Sequence, residues 1–263
     1  MENNFSDVDR VLGQQPSHKS EAVQSEIGTE KTSKFRPTSR PAMAILQVFD
    51  DGRESCELVR LRSSLTSIGR SDCDVCIAHD AQISSKHLFV KRTENHGKSQ
   101  WTIEDVSEKE LGLFVRVRRA RLRHQSEFLI GAQRIVFSAA TSPAEGKSAL
   151  TTRLNRGSIP GESTDSESVS CASLSVLSDP RLPKLWLLGN DYWVGRDAAC
   201  ALRIADDPFV APQHVRITRQ DDGQWQVRSN KAPNGLWIRV SAINVRNTCT
   251  FQIGEQRLRL TIS

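Results

Sequence analysis

Apolar and polar residues alternate in short runs along most of the chain. The first runs are Ala44–Phe49, Glu57–Leu61, His87–Lys91, Trp101–Glu104, Leu113–Val117 and Arg134–Phe137. Asp-Gly, His-Gly-Lys-Ser and similar turn clusters separate them. A second series comprises Leu185–Leu188, Tyr192–Val194, Val215–Thr218, Gln224–Val227, Leu236–Val240 and Leu258–Ile262. A period of two in runs this short predicts half-buried β-strands, and their regular spacing predicts a sandwich or barrel. No stretch of 12 or more residues carries a convincing helical period. Residues 1–41 are poor in large apolar side chains and read as a disordered tail. Residues 141–180, rich in Ser, Thr, Gly and Glu, read as a flexible linker.

The two series are copies of one pattern. Ile68-Gly69-Arg70, His87, Trp101, Gly112 and Gly131 recur in the same order as Val194-Gly195-Arg196, His214, Trp225, Gly235 and Gly254. Gly112 precedes Gly131 by 19 positions, and Gly235 precedes Gly254 by 19. Arg70 precedes His87 by 17, and Arg196 precedes His214 by 18. Landmarks that keep order and spacing mark an internal repeat. The predicted fold is therefore all-β, with two β-sandwich domains at 42–140 and 181–263 joined by the disordered linker.

Composition narrows the function. The chain of 263 residues carries 36 Lys and Arg against 31 Asp and Glu, a net charge of +5. That excess is mild and suits an anionic partner such as phosphate without demanding nucleic acid. No apolar run approaches the roughly 18 residues of a membrane span, and the polar N-terminus shows no secretory h-region. Six cysteines in a chain of this length do not make a disulfide scaffold, so a reducing cytoplasm is expected. Cys73 and Cys76 have metal-ligand spacing but lack a second pair. They read as small apolar residues around a strand, and no metal or cofactor is expected. The tryptophans fall mostly at strand positions and read as core or sheet-face residues. The run from Arg116 to Arg123 alternates like a strand and turn with one solvated face, and no nucleic-acid motif accompanies it. No nucleophile elbow, P-loop, dinucleotide fingerprint or zinc-protease motif is present, so no enzyme is expected.

Gly-Arg after a strand, Ser-x-x-His further on, Asn-Gly before a strand and a late Ile-Gly together resemble the forkhead-associated (FHA) domain. The resemblance covers about 42–140 and 181–263. It implies a sandwich of two twisted sheets whose end loops bind phosphothreonine peptides without catalysis. The chemistry is sound. A phosphothreonine carries about −1.5 to −2 charges and three acceptor oxygens, and a guanidinium meets phosphate with a planar fork of donors.

By that resemblance Arg70 is the phosphate-binding arginine and Ser84 the phosphate-binding serine, with Ser85 and Lys86 as added donors. His87 supports the loop beside Gly69 and Gly112. Leu111 stands where the family has Asn, and Glu108 and Glu110 bring like charge near a phosphate. In the second copy Arg196 and Asn234 match, with Gly195, His214 and Gly235 as structural residues. Ala211 replaces the serine, and Pro212 beside it has no N–H to donate. The first copy is therefore the expected binder. The implied partner is a phosphorylated protein or a Ser/Thr kinase, with neither nucleic acid nor membrane. Phosphorylation of Thr29, Thr32, Thr151, Thr152 or Thr164 would permit binding in cis. The plainer alternatives are that Arg70 and Arg196 are ordinary surface residues and Ser84 a turn residue. The protein would then be a phospho-independent scaffold or dimerisation module.

Overall fold

The structure is a computed structural model describing residues 43–49, 56–108, 111–140 and 171–262. The tail, most of the linker, Glu110 and the five candidate threonines lie outside the described residues. All regular elements among the described residues are strands, and no helix is long and apolar enough to cross a membrane.

The first repeat forms β1 (Ala44–Phe49), β2 (Cys56–Leu61), β3 (Leu65–Gly69), β4 (Val75–Cys76), β5 (Leu88–Asn95), β6 (Lys98–Asp105) and β7 (Leu113–Val117). It continues through β8 (Arg119–Leu122), β9 (Ser126–Ile130) and β10 (Gln133–Ser138). The second forms β11 (Ser173–Val176), β12 (Leu185–Trp186), β13 (Asp191–Gly195), β14 (Leu202–Arg203), β15 (Val215–Arg219), β16 (Trp225–Ser229) and β17 (Leu236–Val240). It ends with β18 (Ala242–Val245), β19 (Thr248–Ile253) and β20 (Gln256–Ile262). β11 corrects the linker reading at its C-terminal end. Ser173, Leu174 and Val176 are buried, and the strand pairs with β10. Its serines hid a period of two that the flanking Leu and Val carry.

The strands do not pack repeat by repeat. A ten-stranded sheet runs β12-β11-β10-β9-β17-β7-β19-β20-β1-β2 through the molecule. One half is covered by the sheet β18-β6-β5-β3-β4, the other by β14-β13-β15-β16-β8. Each repeat therefore contributes its first seven strands to one sandwich and its last three to the other. β7 and β17 pair antiparallel at the crossing, with Val115 opposite Ile238 at the centre of a local two-fold. The first core includes Leu46, Ile68, Trp101 and Ile103 together with Val245, Phe251, Ile253 and Leu260 from the second repeat. The second core joins Leu174, Val215 and Val227 to Phe128, Ile130 and Phe137 from the first. The repeat boundaries at 140 and 181 thus differ from the boundaries of packing.

The local cause is the absence of a turn. A two-residue hairpin needs positive φ at the bend, which Gly, Asn or Asp supplies. Leu113 to Leu122 and Leu236 to Val245 read LFVRVRRARL and LWIRVSAINV, with only Asn244, inside β18, among these residue types. Only Arg118 separates β7 from β8, and only Ser241 separates β17 from β18. The chain runs on in extended form into the opposite sandwich.

Two aspartates fasten the exchanged hairpins. Asp80 accepts the N–H of Glu255, in the β19–β20 turn, at 2.7 Å, and Asp207 accepts that of Ala132, in the β9–β10 turn, at 2.8 Å. Both carboxylates are buried. Of the tryptophans, Trp101, Trp225 and Trp237 are core residues, whereas Trp186 is exposed under the Lys184 ammonium.

Candidate functional site

Arg70 follows Gly69 at the end of β3, and its N–H donates to Ser84 O at 2.9 Å. Ser71 N–H donates to Ser85 O at 3.3 Å. These bonds zip the β3–β4 loop onto the β4–β5 loop, so Arg70, Ser84, Ser85 and Lys86 sit together. The approach needs glycine at 69, because a Cβ there would strike the Ser85 carbonyl. Arg70, Ser85 and Lys86 are exposed, and the Arg70 guanidinium has no hydrogen bond or ion pair among the described residues.

His87 is fully buried beneath this surface. Its Nδ1 accepts Ser84 N–H at 3.2 Å, which leaves Nε2–H to donate to Gly112 O at 3.3 Å. The ring ties the β4–β5 loop to the β6–β7 loop and is held neutral. Burial pushes its pKa below the usual histidine range, and the bond to Gly112 O opposes that shift.

Ser84 sits deeper than its assigned role suggests. It is 8% exposed, and its Oγ accepts Glu108 N–H at 3.4 Å. The hydroxyl proton stays available to a ligand while one lone pair faces the β6–β7 loop. Asp105 shapes that loop by accepting Ser107 N–H at 2.9 Å and Leu113 N–H at 3.1 Å. Cys73 lies under the same loops and is more than apolar filler. Its thiol donates to Ser85 O at 2.9 Å, and burial raises its pKa. The sequence reading passed over Asp80 and Asp105. Each accepts the N–H two residues on in an Asx turn, a contact that only the folded loop reveals.

The second repeat rebuilds the scaffold with different chemistry. Arg196 N–H donates to Ala211 O at 3.1 Å, and Asp197 N–H donates to Pro212 O at 2.9 Å. His214 Nδ1 accepts Ala211 N–H at 3.0 Å, and Nε2–H donates to Gly235 O at 2.7 Å. Gly195 meets the Pro212 carbonyl as Gly69 meets that of Ser85. Arg196 is exposed with its guanidinium unpartnered among the described residues. Asn234 commits one amide N–H to the fold, because its Nδ2 donates to Phe209 O at 2.9 Å. That bond links the β14–β15 and β16–β17 loops where Ala211 has no hydroxyl to do so. Ser84–Glu108 and Asn234–Phe209 are thus two solutions to one structural need.

The two repeats also touch at the crossing. Arg239 lies against Gly112, where a Cβ would come within 2.6 Å of Nε, and Arg116 lies equally close to Gly235. Arg239 is held by Glu127 at 3.0 and 3.1 Å, whereas Arg116 donates to Pro233 O at 3.0 Å.

The family comparison agrees with this geometry. The FHA domain matches residues 66–131 and 192–254. A comparison with curated proteins finds no match. Among solved structures, the crystal structure of Mycobacterium tuberculosis Rv1747 FHA-1 is similar over 31% of this chain and 86% of its own. The identity is 24% and the TM-score 0.19. FHA domains are generally phosphothreonine-binding protein-interaction modules. The family match spans the Gly-Arg strand, the histidine and the late Gly of each repeat, and this chain is a tandem FHA-domain protein.

Proposed function

We propose that the first repeat reads phosphothreonine segments of a partner in Ser/Thr kinase signalling, as a cytoplasmic adaptor without catalysis. One observation carries this reading. The exposed Arg70 guanidinium, unpartnered among the described residues, stands on a loop locked by backbone bonds to Ser84 and Ser85, with Lys86 beside it. The Arg70 fork takes two phosphate oxygens, and the Ser84 hydroxyl donates to the third. Lys86 adds charge that steers an anionic peptide.

The second repeat suits a scaffold. It lacks the hydroxyl at Ala211, and its Asn234 amide is engaged internally. It still supplies the strands that complete the first sandwich. Arg196 retains weak phosphate affinity at most.

The test uses the full chain, because residues 42–140 lack β18–β20. A degenerate phosphothreonine library is titrated by fluorescence anisotropy into the wild type and Arg70→Ala. Charge-assisted hydrogen bonds contribute about 1.5–3 kcal/mol each, so the variant loses about tenfold or more. Arg196→Ala changes little. Equal binding by the wild type and Arg70→Ala, or equal binding of the unphosphorylated library, overturns the reading.

A further inference from the structure

A groove of about 1260 Å³ lies between the β16–β17 loop and the β18–β19 turn, floored by the end of β7. It is distinct from the Arg70 loops. Arg116, Arg118, Arg228, Lys231 and Arg246 line it, and no acidic residue does among those described. Arg118, Arg228, Lys231 and Arg246 make no side-chain hydrogen bond or ion pair among the described residues. Arg228 also stands directly opposite Arg119 in the β16–β8 ladder. Like charges in that position are destabilising.

The local two-fold supplies an internal control. It carries Arg118 onto Ser241, Arg228 onto Glu104 and Lys231 onto Ser107. Arg119 opposite Arg228 becomes Ala242 opposite Glu104, and Glu104 is paired with Lys91. Arg116 becomes Arg239, which Glu127 neutralises. Of the four cations without a side-chain partner, only Arg246 keeps its charge, as Arg123. The same fold is built on the other side without this basic character, so packing does not require it.

The geometry points to a binding site for an extended, acidic segment of a partner protein. Cations on both walls complement a row of anionic side chains. Residues 243–245 of β18, the last strand of its sheet, line the groove and offer an edge for strand addition. No aromatic ring lines the groove among the described residues. Single-stranded nucleic acid would call for such rings to stack its bases. The anions are the carboxylates of Asp and Glu.

The experiment titrates the full chain with a labelled peptide alternating Ser and Glu, and with its phosphoserine form. The comparison variant is Arg118→Ser/Arg228→Glu, which copies the residues of the opposite side. Glu at 228 faces Arg119 and forms an opposite-charge pair, so folding is retained. The wild type binds the unphosphorylated Ser-Glu peptide, more weakly as salt rises, and the variant loses about tenfold or more. Tm is equal or higher in the variant, phosphothreonine-library binding stays unchanged, and Arg70→Ala keeps the acidic-peptide affinity. This separates the groove from the Arg70 reading. Binding of the phosphoserine form alone overturns the carboxylate assignment. Equal binding by the double variant overturns the proposal. So does no binding at about 1 mM peptide, or displacement by an oligothymidylate at lower concentration than by unlabelled peptide.

Discussion

The Asp80 carboxylate holds the backbone N–H of Glu255 at 2.7 Å, fastening a loop of the first repeat to a turn 175 residues later. Asp207 does the same for Ala132, 75 residues earlier. These bonds join the loops that carry the candidate sites to hairpins donated by the other repeat.

Neither repeat is therefore a complete folding unit. Phe251, Ile253, Leu258 and Leu260 are fully buried in the first core, and each contributes roughly 1.5–3 kcal/mol on burial. Together they rival the 5–15 kcal/mol stability typical of a domain. Residues 42–140 expressed alone are expected to be unfolded or to form a dimer by exchanging β8–β10. Mixing them with residues 171–263 restores one cooperative transition, read by near-UV circular dichroism during a urea titration. A folded monomer of 42–140 would contradict the exchange.

Asp80→Ala leaves two N–H donors, of Glu255 and Gln82, without their carboxylate. Both bonds are part-buried with a carboxylate as acceptor, so losing each costs about 1 kcal/mol. Gly254→Ala acts on the same contact, since φ is +53° there and a Cβ would strike Asp80. Both variants are expected to lower the urea midpoint by similar amounts. Their effects combine less than additively, because they remove one shared contact.

His87 and His214 make stability depend on pH. Burial lowers both folded pKa values below 6.5, so the unfolded chain binds protons first. Stability is complete above about pH 6.5 and falls as the pH drops below it toward the folded values. Protonation also removes the Nδ1 acceptor from Ser84 and Ala211 N–H. Midpoints of urea unfolding between pH 7.5 and 5.5 report this slope. His87→Gln should flatten it.

Glu108 donates its N–H to Ser84 Oγ, placing an exposed carboxylate close to the proposed phosphate site. Glu108→Gln keeps the backbone bond and removes the charge. Phosphothreonine-peptide affinity should rise about two- to fivefold, the scale of an exposed charge interaction, and the gain should shrink in high salt.

The repeat, the sandwich class and the Gly-Arg and histidine positions were legible in the sequence, because period-two burial and ordered landmarks are local signals. The exchange was not read from the same pattern. Phe128 and Ile130 have the same inward spacing as Phe251 and Ile253, so the pattern shows that each hairpin faces a core without specifying which. The informative sign was missing turn residues around Arg118 and Ser241. The match of Asn234 to the family's peptide-contacting residue identified the loop but not the side-chain direction, which depends on the Phe209 carbonyl opposite.

The most direct measurement follows backbone amides of the full chain by ¹⁵N–¹H correlation spectroscopy during titration with a selected phosphothreonine peptide. The account predicts shifts at Arg70, Ser71, Ser85 and Lys86 and in the loop holding Glu108. The unphosphorylated peptide should produce none. Shifts centred on Arg196 and Asp197 instead, with the Arg70 loop unchanged, would contradict the assignment of the first repeat as the reader.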